Sequence, residues 1–348
     1  MKIALDAMGS DNAPQVELEG AALALKELPD LELLVVGKEE IISQYRSDNW
    51  ERVELIPAPE VVGMHESPTE AIKKKPRSSI AICMSLHKEG KVEAVVSAGN
   101  TGAVMAFALT SLGAIPGVSR PTLAVLFPRI KGSTLVLDVG ANVDTKPSQF
   151  LQFAVMGATA ASFIFHKANP TVGLLNIGQE ETKGNEQTLS AYQLLKESEL
   201  NFIGNVEGSD ILTGKVDVVV CDGFVGNVLL KYGEGLAEIL RELLQEYLES
   251  ESKYRLRRWF SRPVLEEFIS RMDYQEHGGA LMLGLEGNVV AAHGRSTPRA
   301  LKNAIRTAYQ AVRDRISQHI AQAFVSFPSP TAPVESPFSR SGIREFTR

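Results

Sequence analysis

Cysteine is scarce in this sequence, histidine is sparse, and no unbroken apolar run occurs. The two cysteines among 348 residues, Cys83 and Cys221, both sit inside apolar stretches. That usage excludes a disulfide scaffold and fits a reduced, cytoplasmic protein. The 6 histidines form no HExxH pair or other short ligand cluster, so no metal is expected. Two long uncharged stretches, 94–119 and 147–165, are broken by Asn, Thr, Gly, Pro or Gln. Neither is the solid run of about 20 apolar residues that a spanning helix requires. The opening MKIALDAMGSDNAP lacks the shape of a signal peptide, because Asp6 interrupts any apolar region. A net charge of −6 argues against a dedicated nucleic-acid binder. No GxGxxG follows a strand, and neither GxxxxGK[ST] nor GxSxG occurs, which removes the usual dinucleotide, P-loop and nucleophile-elbow chemistries. No cofactor is implied.

What is present is enough for a large core: 44% of residues are hydrophobic and 22% charged. KIALD, LELLVVG, VELIPAP, EAVVSAGN, STLVLDVGAN, VGLLNIG, NFIGNVEG and DVVVCDG read as strands. Between them lie helical patterns such as VELEGAALALKEL, TGAVMAFALTSL and PSQFLQFAVMGATAASFIF, the last opened by Pro147. Ser67 with Glu70 marks a further helix start. This alternation predicts an α/β fold, a mostly parallel sheet with helices on both faces. It is expected as a single α/β domain over 1–325, with a protruding helical hairpin at about 234–272. Residues 326–348, rich in Ser and Pro, read as a flexible tail.

Four strand-end loops share one design: SAGNTGA, DVGAN, the longer IGQEETKGNE, and CDGFVGN. Each passes from an apolar strand through small polar residues into a helix. Such a loop caps its helix, with Asn100 or Thr101 able to do so in the first. It also offers free N–H groups at a helix N-terminus, which bind oxyanions. In open α/β sheets ligands bind beyond the carboxyl ends of strands. Four such loops around one pocket would present Asn100, Asn142, Asn185, Asn227, Lys183, Asp138 and Asp222 to an oxyanion ligand. Four ordinary capped turns are the plain alternative. His65 and His293 lie near loops and read as solvated or capping residues, and Cys221 as a small apolar strand end.

The order DAMGSDNAP, SAGNTGA, DVGAN, ETKGNE, GNVEGSD, DVVVCDGFVGNVLLK, GGALMLG and HGRS resembles the bacterial acyl-ACP:phosphate acyltransferase family, PlsX, over nearly all but the tail. Ser10 stands where that family usually has glycine, and Ser209 where it usually has arginine. The resemblance implies a fold similar to the isocitrate and isopropylmalate dehydrogenases and the phosphotransacetylases, and a homodimer. It implies attack of inorganic phosphate on a long-chain acyl thioester of acyl carrier protein, giving acyl phosphate for phospholipid synthesis. A coenzyme A-dependent phosphotransacetylase-like acyltransferase is the alternative. Since phosphate is itself a competent nucleophile, positioning and oxyanion stabilisation dominate. On that reading Lys183, Asn185, Asn227 and Asp222 carry the chemistry. Asp6, Met8, Asp11, Ser97, Asn100, Thr101, Gly102 and Asn142 bind substrate.

A basic, aromatic elbow follows the helical run 234–250. Arg255, Arg257, Arg258 and Arg262 surround Trp259 and Phe260, with Pro263 breaking the hairpin. Cations with interleaved aromatics dock on an anionic membrane surface or on acidic acyl carrier protein; a dimer contact with solvated charges is the bland reading. Lys73 to Lys75 with Arg77 form a second basic surface. The expectation is a cytoplasmic, peripherally membrane-associated enzyme that can meet the downstream membrane glycerol-3-phosphate acyltransferase.

Overall fold

A computed structural model describes residues 1–45, 50–250 and 278–325. The first half of the sheet comprises β1 (Lys2–Asp6), β2 (Glu32–Gly37), β3 (Val53–Pro57) and β4 (Ala94–Ser97). Its helices are α1 (Gln15–Glu27), α2 (Glu39–Ile42), α3 (Pro68–Lys74), α4 (Ser79–Lys88) and α5 (Thr101–Ser111). The second half comprises β5 (Thr122–Pro128), β6 (Ser133–Leu137), β7 (Val172–Leu175), β8 (Phe202–Val206) and β9 (Val218–Val220). With it go α6 (Pro147–Ile164), α7 (Glu186–Lys196), α8 (Gly208–Thr213) and α9 (Gly223–Ser250). The chain then supplies β10 (Ala280–Leu283), β11 (Val289–Ala291), α10 (Pro298–Arg313) and α11 (Ile316–Val325).

All eleven strands form one sheet in the order β3-β2-β1-β4-β11-β10-β5-β6-β9-β7-β8. Two blocks are internally parallel, β3-β2-β1-β4-β11 and β6-β9-β7-β8. Between them β10 and β5 pair antiparallel with their neighbours. The expected α/β architecture is therefore present, with a feature the strand list above does not contain. An odd number of antiparallel pairings separates the blocks, so they run in opposite directions. The carboxyl ends of β4 and β6 consequently meet from opposite directions, with Val96 in register through Val290, Leu281 and Ala124 with Leu137.

Strands at the centre are buried on both faces, which is why they read as continuous apolar runs. Ile3 and Leu5 point into one core with Leu33, Val35 and the helices α1, α6, α10 and α11; Ala4, Val36 and Val95 point into the other with α4 and α5. α1 and α10 meet so closely that a Cβ on Gly20 would stand 2.6 Å from the Leu301 Cβ. Pro147 opens α6 as expected. The Ser67 start is only half realised: Ser67 is the N-cap position, but its hydroxyl pairs with Thr69 at 3.0 Å and Glu70 with Lys74. The helical run also stops at Lys74 before Pro76 and resumes at Ser79. No described helix is long and apolar enough to cross a membrane. Arg255, Arg257, Arg258, Trp259, Phe260, Arg262 and the tail lie outside the described residues.

Candidate active site

Two buried aspartates organise the loops at the two strand blocks. Asp6 ends β1, almost fully buried. Its Oδ2 accepts the Ser97 hydroxyl at 2.7 Å and its Oδ1 the Met8 N–H at 3.1 Å. The Ser97 Oγ in turn accepts the Gly99 N–H at 3.1 Å. Burial pushes the Asp6 carboxyl above its usual range, opposed by hydrogen bonds from Ser79, Ser97 and Met8. Asp6 and Ser97 thus fix the SAGNTGA turn from beneath. Met8 packs on Gly37, and Gly9 sits so close to Gly99 that a Cβ would lie 2.6 Å from its nitrogen. The Asp11 N–H donates to the Gly294 carbonyl at 2.9 Å.

Asp138 does the same after β6, with no intermediary. Its Oδ1 accepts the N–H groups of Leu123, Gly140 and Ala141. Its Oδ2 accepts both the backbone N–H and the side-chain amide of Asn142, at 2.7 and 2.8 Å. Burial again raises the carboxyl pKa against these bonds. Asn142 also donates to the Pro121 carbonyl at 2.8 Å and accepts the Gly223 N–H on its own carbonyl, which locks the DVGAN loop to the start of α9. Asp222 caps α9 by accepting the Val225 N–H at 2.9 Å. Cys221 is buried and donates its thiol to the Asp138 carbonyl at 3.3 Å. Burial and two nearby carboxylates push that thiol well above its ordinary pKa, so it is no thiolate nucleophile.

Counting the N–H groups at the four loops separates them. At α7, Asn185 and Thr188 exchange reciprocal bonds and close the helix start. The first donors of α9 and the DVGAN donors are largely taken by Asp222, Asn142 and Asp138. At α5, Asn100 Oδ1 accepts the Ala103 N–H at 3.1 Å, and its amide holds the carbonyls of Met64 and Glu66. The N–H groups of Thr101 and Gly102 have no partner among the described residues. Gly102 is glycine where a Cβ would stand 3.1 Å from Pro68 on α3.

A cavity of about 400 Å³ lies over the central strands, within the usual size of a ligand site. Its floor is apolar and small: Leu123, Val125, Ala280 and Ala291. One wall carries Gly99, Thr101, Met64 and the turn Ala292–Ser296; the opposite wall carries Val139, Gly140, Asn227, Leu230, Lys231 and Glu234. Gly140 has φ +137, and a Cβ there would touch Asn227 at 3.5 Å. Lys231 and Glu234 are 3.9 Å apart, the carboxylate mostly buried and the lysine exposed. The site therefore joins an apolar bed to a rim of amide, hydroxyl, ammonium, carboxylate and imidazole groups.

Of the residues singled out in the sequence, Thr101 and Asn227 line this cavity, and so does His293, expected only as a solvated or capping residue. Asp6, Ser97, Asn142 and Asp222 stand behind it as loop supports, and Asp11 holds its turn. Lys183 and Asn185 are exposed on the β7–α7 loop and are not among the described lining residues. Lys231 and Glu234 were missed. Their signal was legible: Asn227, Leu230, Lys231 and Glu234 follow i, i+3, i+4, i+7 spacing, one face of α9. Met64 and Ser296 carried no such signal.

A split α/β sheet with an amphipathic cavity over its switch between blocks defines a small-molecule-binding α/β protein. The architecture is that of solved phosphotransacylases. A phosphotransacetylase from Streptococcus pyogenes superposes with a TM-score of 0.60 at 17% identity, covering 94% of each chain. A branched-chain phosphotransacylase from Enterococcus faecalis gives 0.58 at 14%, covering 90% of this chain and 99% of its own. By sequence, residues 1–319 match the model of the family described as fatty acid synthesis protein, and the chain belongs to that family. It is 46% identical over 328 residues to a phosphate acyltransferase of Heliobacterium modesticaldum, covering 92% of this chain and 98% of the relative. It is 47% identical to one of Pelotomaculum thermopropionicum, covering 94% and 96%.

Proposed function

We propose that this chain is a phosphate acyltransferase, moving a long-chain acyl group from acyl carrier protein to inorganic phosphate. The observation that carries the reading is the pairing of two free helix N–H groups, at Thr101 and Gly102, with a cavity whose bed is apolar and whose far wall holds Asn227. Phosphate takes the N-terminus of α5, and the start of the acyl chain lies over Leu123, Val125 and Ala280. The thioester carbonyl is then presented to a phosphate oxygen in a site where donors are already in place. Thiolates are good leaving groups, with an ordinary thiol pKa of about 8.5, so no strong general acid is needed. Lys183, on the loop next to that of α9, offsets phosphate charge, and Asn185 orders that loop. The names of the relatives, phosphate acyltransferase, support the reaction class.

Purified protein is incubated with palmitoyl-acyl carrier protein, with and without phosphate, and acyl phosphate is trapped with hydroxylamine. Phosphate-dependent hydroxamate is the expected result, and Lys183→Ala should lower turnover at least about tenfold. Product from acetyl-coenzyme A alone moves the function to the phosphotransacetylase-like alternative. No product from either donor defeats the assignment.

The same reading includes pairing of two copies and contact with an anionic membrane near the downstream glycerol-3-phosphate acyltransferase. Its support is the face of α9 bearing Val228, Tyr232, Leu236, Ile239 and Leu243, all exposed in a single chain. Sedimentation should give a dimer that Ile239→Glu weakens; a monomeric wild-type protein would remove the pairing. Flotation with anionic vesicles should be lost in Trp259→Glu, and equal binding by both proteins would remove the membrane contact.

A further inference from the structure

The turn after β11 holds a group that the reaction above leaves unused. His293 lines the cavity. Its Nδ1 accepts the Arg295 N–H at 3.1 Å, so the ring proton sits on Nε2. Nε2 has no partner among the described residues. The backbone carrying the ring is fixed at three points. Ala292 N–H donates to the Ser97 carbonyl at 2.8 Å, Asp11 N–H to Gly294 at 2.9 Å, and Ser296 N–H to His293 at 2.9 Å. Gly294 packs against the end of the Met64 side chain. An N–H donor thus stands on rigid backbone in the wall opposite Asn227.

We propose that His293 is a catalytic residue whose Nε2–H donates a hydrogen bond to the thioester carbonyl oxygen as that oxygen becomes an oxyanion; this rests on the acyl-transfer reading. A phosphate oxygen bonds to the carbonyl carbon, and the C=O π pair moves onto oxygen. His293 stabilises that charge without giving up its proton. The C=O then re-forms, the C–S bond breaks, and the thiolate leaves with the electron pair. The proton carried in by hydrogen phosphate passes through water to the thiolate. The ring does not act as a base: Nε2 bears the proton, the Nδ1 lone pair is engaged by Arg295, and phosphate is already anionic. A preorganised neutral imidazole donor is a known solution for stabilising developing negative charge.

Two variants separate this role from turn capping. Asparagine at 293 places Oδ1 where Nδ1 was, keeping the Arg295 bond, but has no donor at the Nε2 position. Glutamine reaches that position with an amide N–H. His293→Asn should lower kcat by about 10²–10³, the usual effect of removing one oxyanion donor, with KM for the acyl donor and the melting temperature little changed. His293→Gln should regain at least about tenfold of that loss. A His293→Asn enzyme whose kcat falls less than about tenfold, or whose defect lies in KM alone, overturns the assignment while wild-type hydroxamate formation leaves the reaction standing. Wild-type protein that makes no acyl phosphate overturns the reaction and this role with it. ¹⁵N-histidine NMR of wild-type protein needs no variant to fold. It should show the Nε2–H tautomer at His293, and an Nδ1–H tautomer overturns the proposal.

Discussion

Glu17 should make folding stability fall as pH rises from about 4.5 to about 7. It sits in the first turn of α1 and is wholly shielded from solvent. Its Oε1 accepts the Ser10 N–H at 2.9 Å, while Oε2 is buried without a partner. Burial lifts its pKa from 4.5 to about 7, against the pull of the Ser10 bond, and the nearby Asp6 carboxylate adds to the rise. In the unfolded chain the group titrates near 4.5. Below that pH both states hold the proton and the contribution to stability is intact. Between 4.5 and about 7 the unfolded chain ionises while the folded protein keeps its proton, so stability drains away. Above about 7 the folded protein bears the full cost of a buried carboxylate, about 3 kcal/mol from the interval between the two pKa values. Glu17→Gln stays neutral and keeps an acceptor for Ser10. Urea unfolding of both proteins at pH 5 and pH 8 isolates the group, because Asp6 and every other titrating residue is shared. The variant's advantage over wild type should be larger at pH 8 by about 2 to 3 kcal/mol. A pH-independent difference, within about 0.5 kcal/mol, would refute the claim that Glu17 is held protonated by burial.

Asn100→Ala removes the α5 cap and the two anchors to the loop of Met64 and Glu66. A loss of about 2 kcal/mol in unfolding free energy is expected, and under 0.5 kcal/mol would show that the cap is dispensable. Gly140→Ala forces a side chain into φ +137 beside Asn227. It should cost about 1 to 3 kcal/mol and lower kcat more than tenfold in the hydroxamate assay, and a variant with wild-type rate and stability would contradict the backbone-strain argument.

The parts of this fold that were readable are those whose cause is local. Pro147 announces α6 because its fixed φ and missing N–H suit a first helical turn. Asn100 before an apolar helix announces a cap, and the cap is there. The strands β5, β10 and β11 were not listed, because no helical crossover flags them and two have only three or four residues. PRIKGST, with Gly132 at φ +88, is the one local sign of the β5–β6 hairpin. With those strands unseen, the opposed direction of the two blocks was invisible. Loops of the two blocks nevertheless meet at one cavity from opposite directions, Gly99 and Thr101 from the first and Gly140 and Asn227 from the second.

The acidic residues show why a candidate site is harder to read than a fold. A carboxylate at a strand end followed by glycine has the same one-dimensional form whether it meets ligand or gathers its own loop. Burial distinguishes the two, and burial is a tertiary property. Asp138 is enclosed and spends itself on five donors of its own chain. Those N–H groups are thereby withdrawn from any anion. At SAGNTGA the carboxylate of Asp6 works through Ser97 and takes up only Gly99, leaving Thr101 and Gly102 open at the helix end. Two loops of similar form thus differ in what they leave open: the N–H groups after β6 are occupied, while two at the start of α5 are free among the described residues. The difference is set by whether the organising carboxylate reaches the backbone directly or through a hydroxyl.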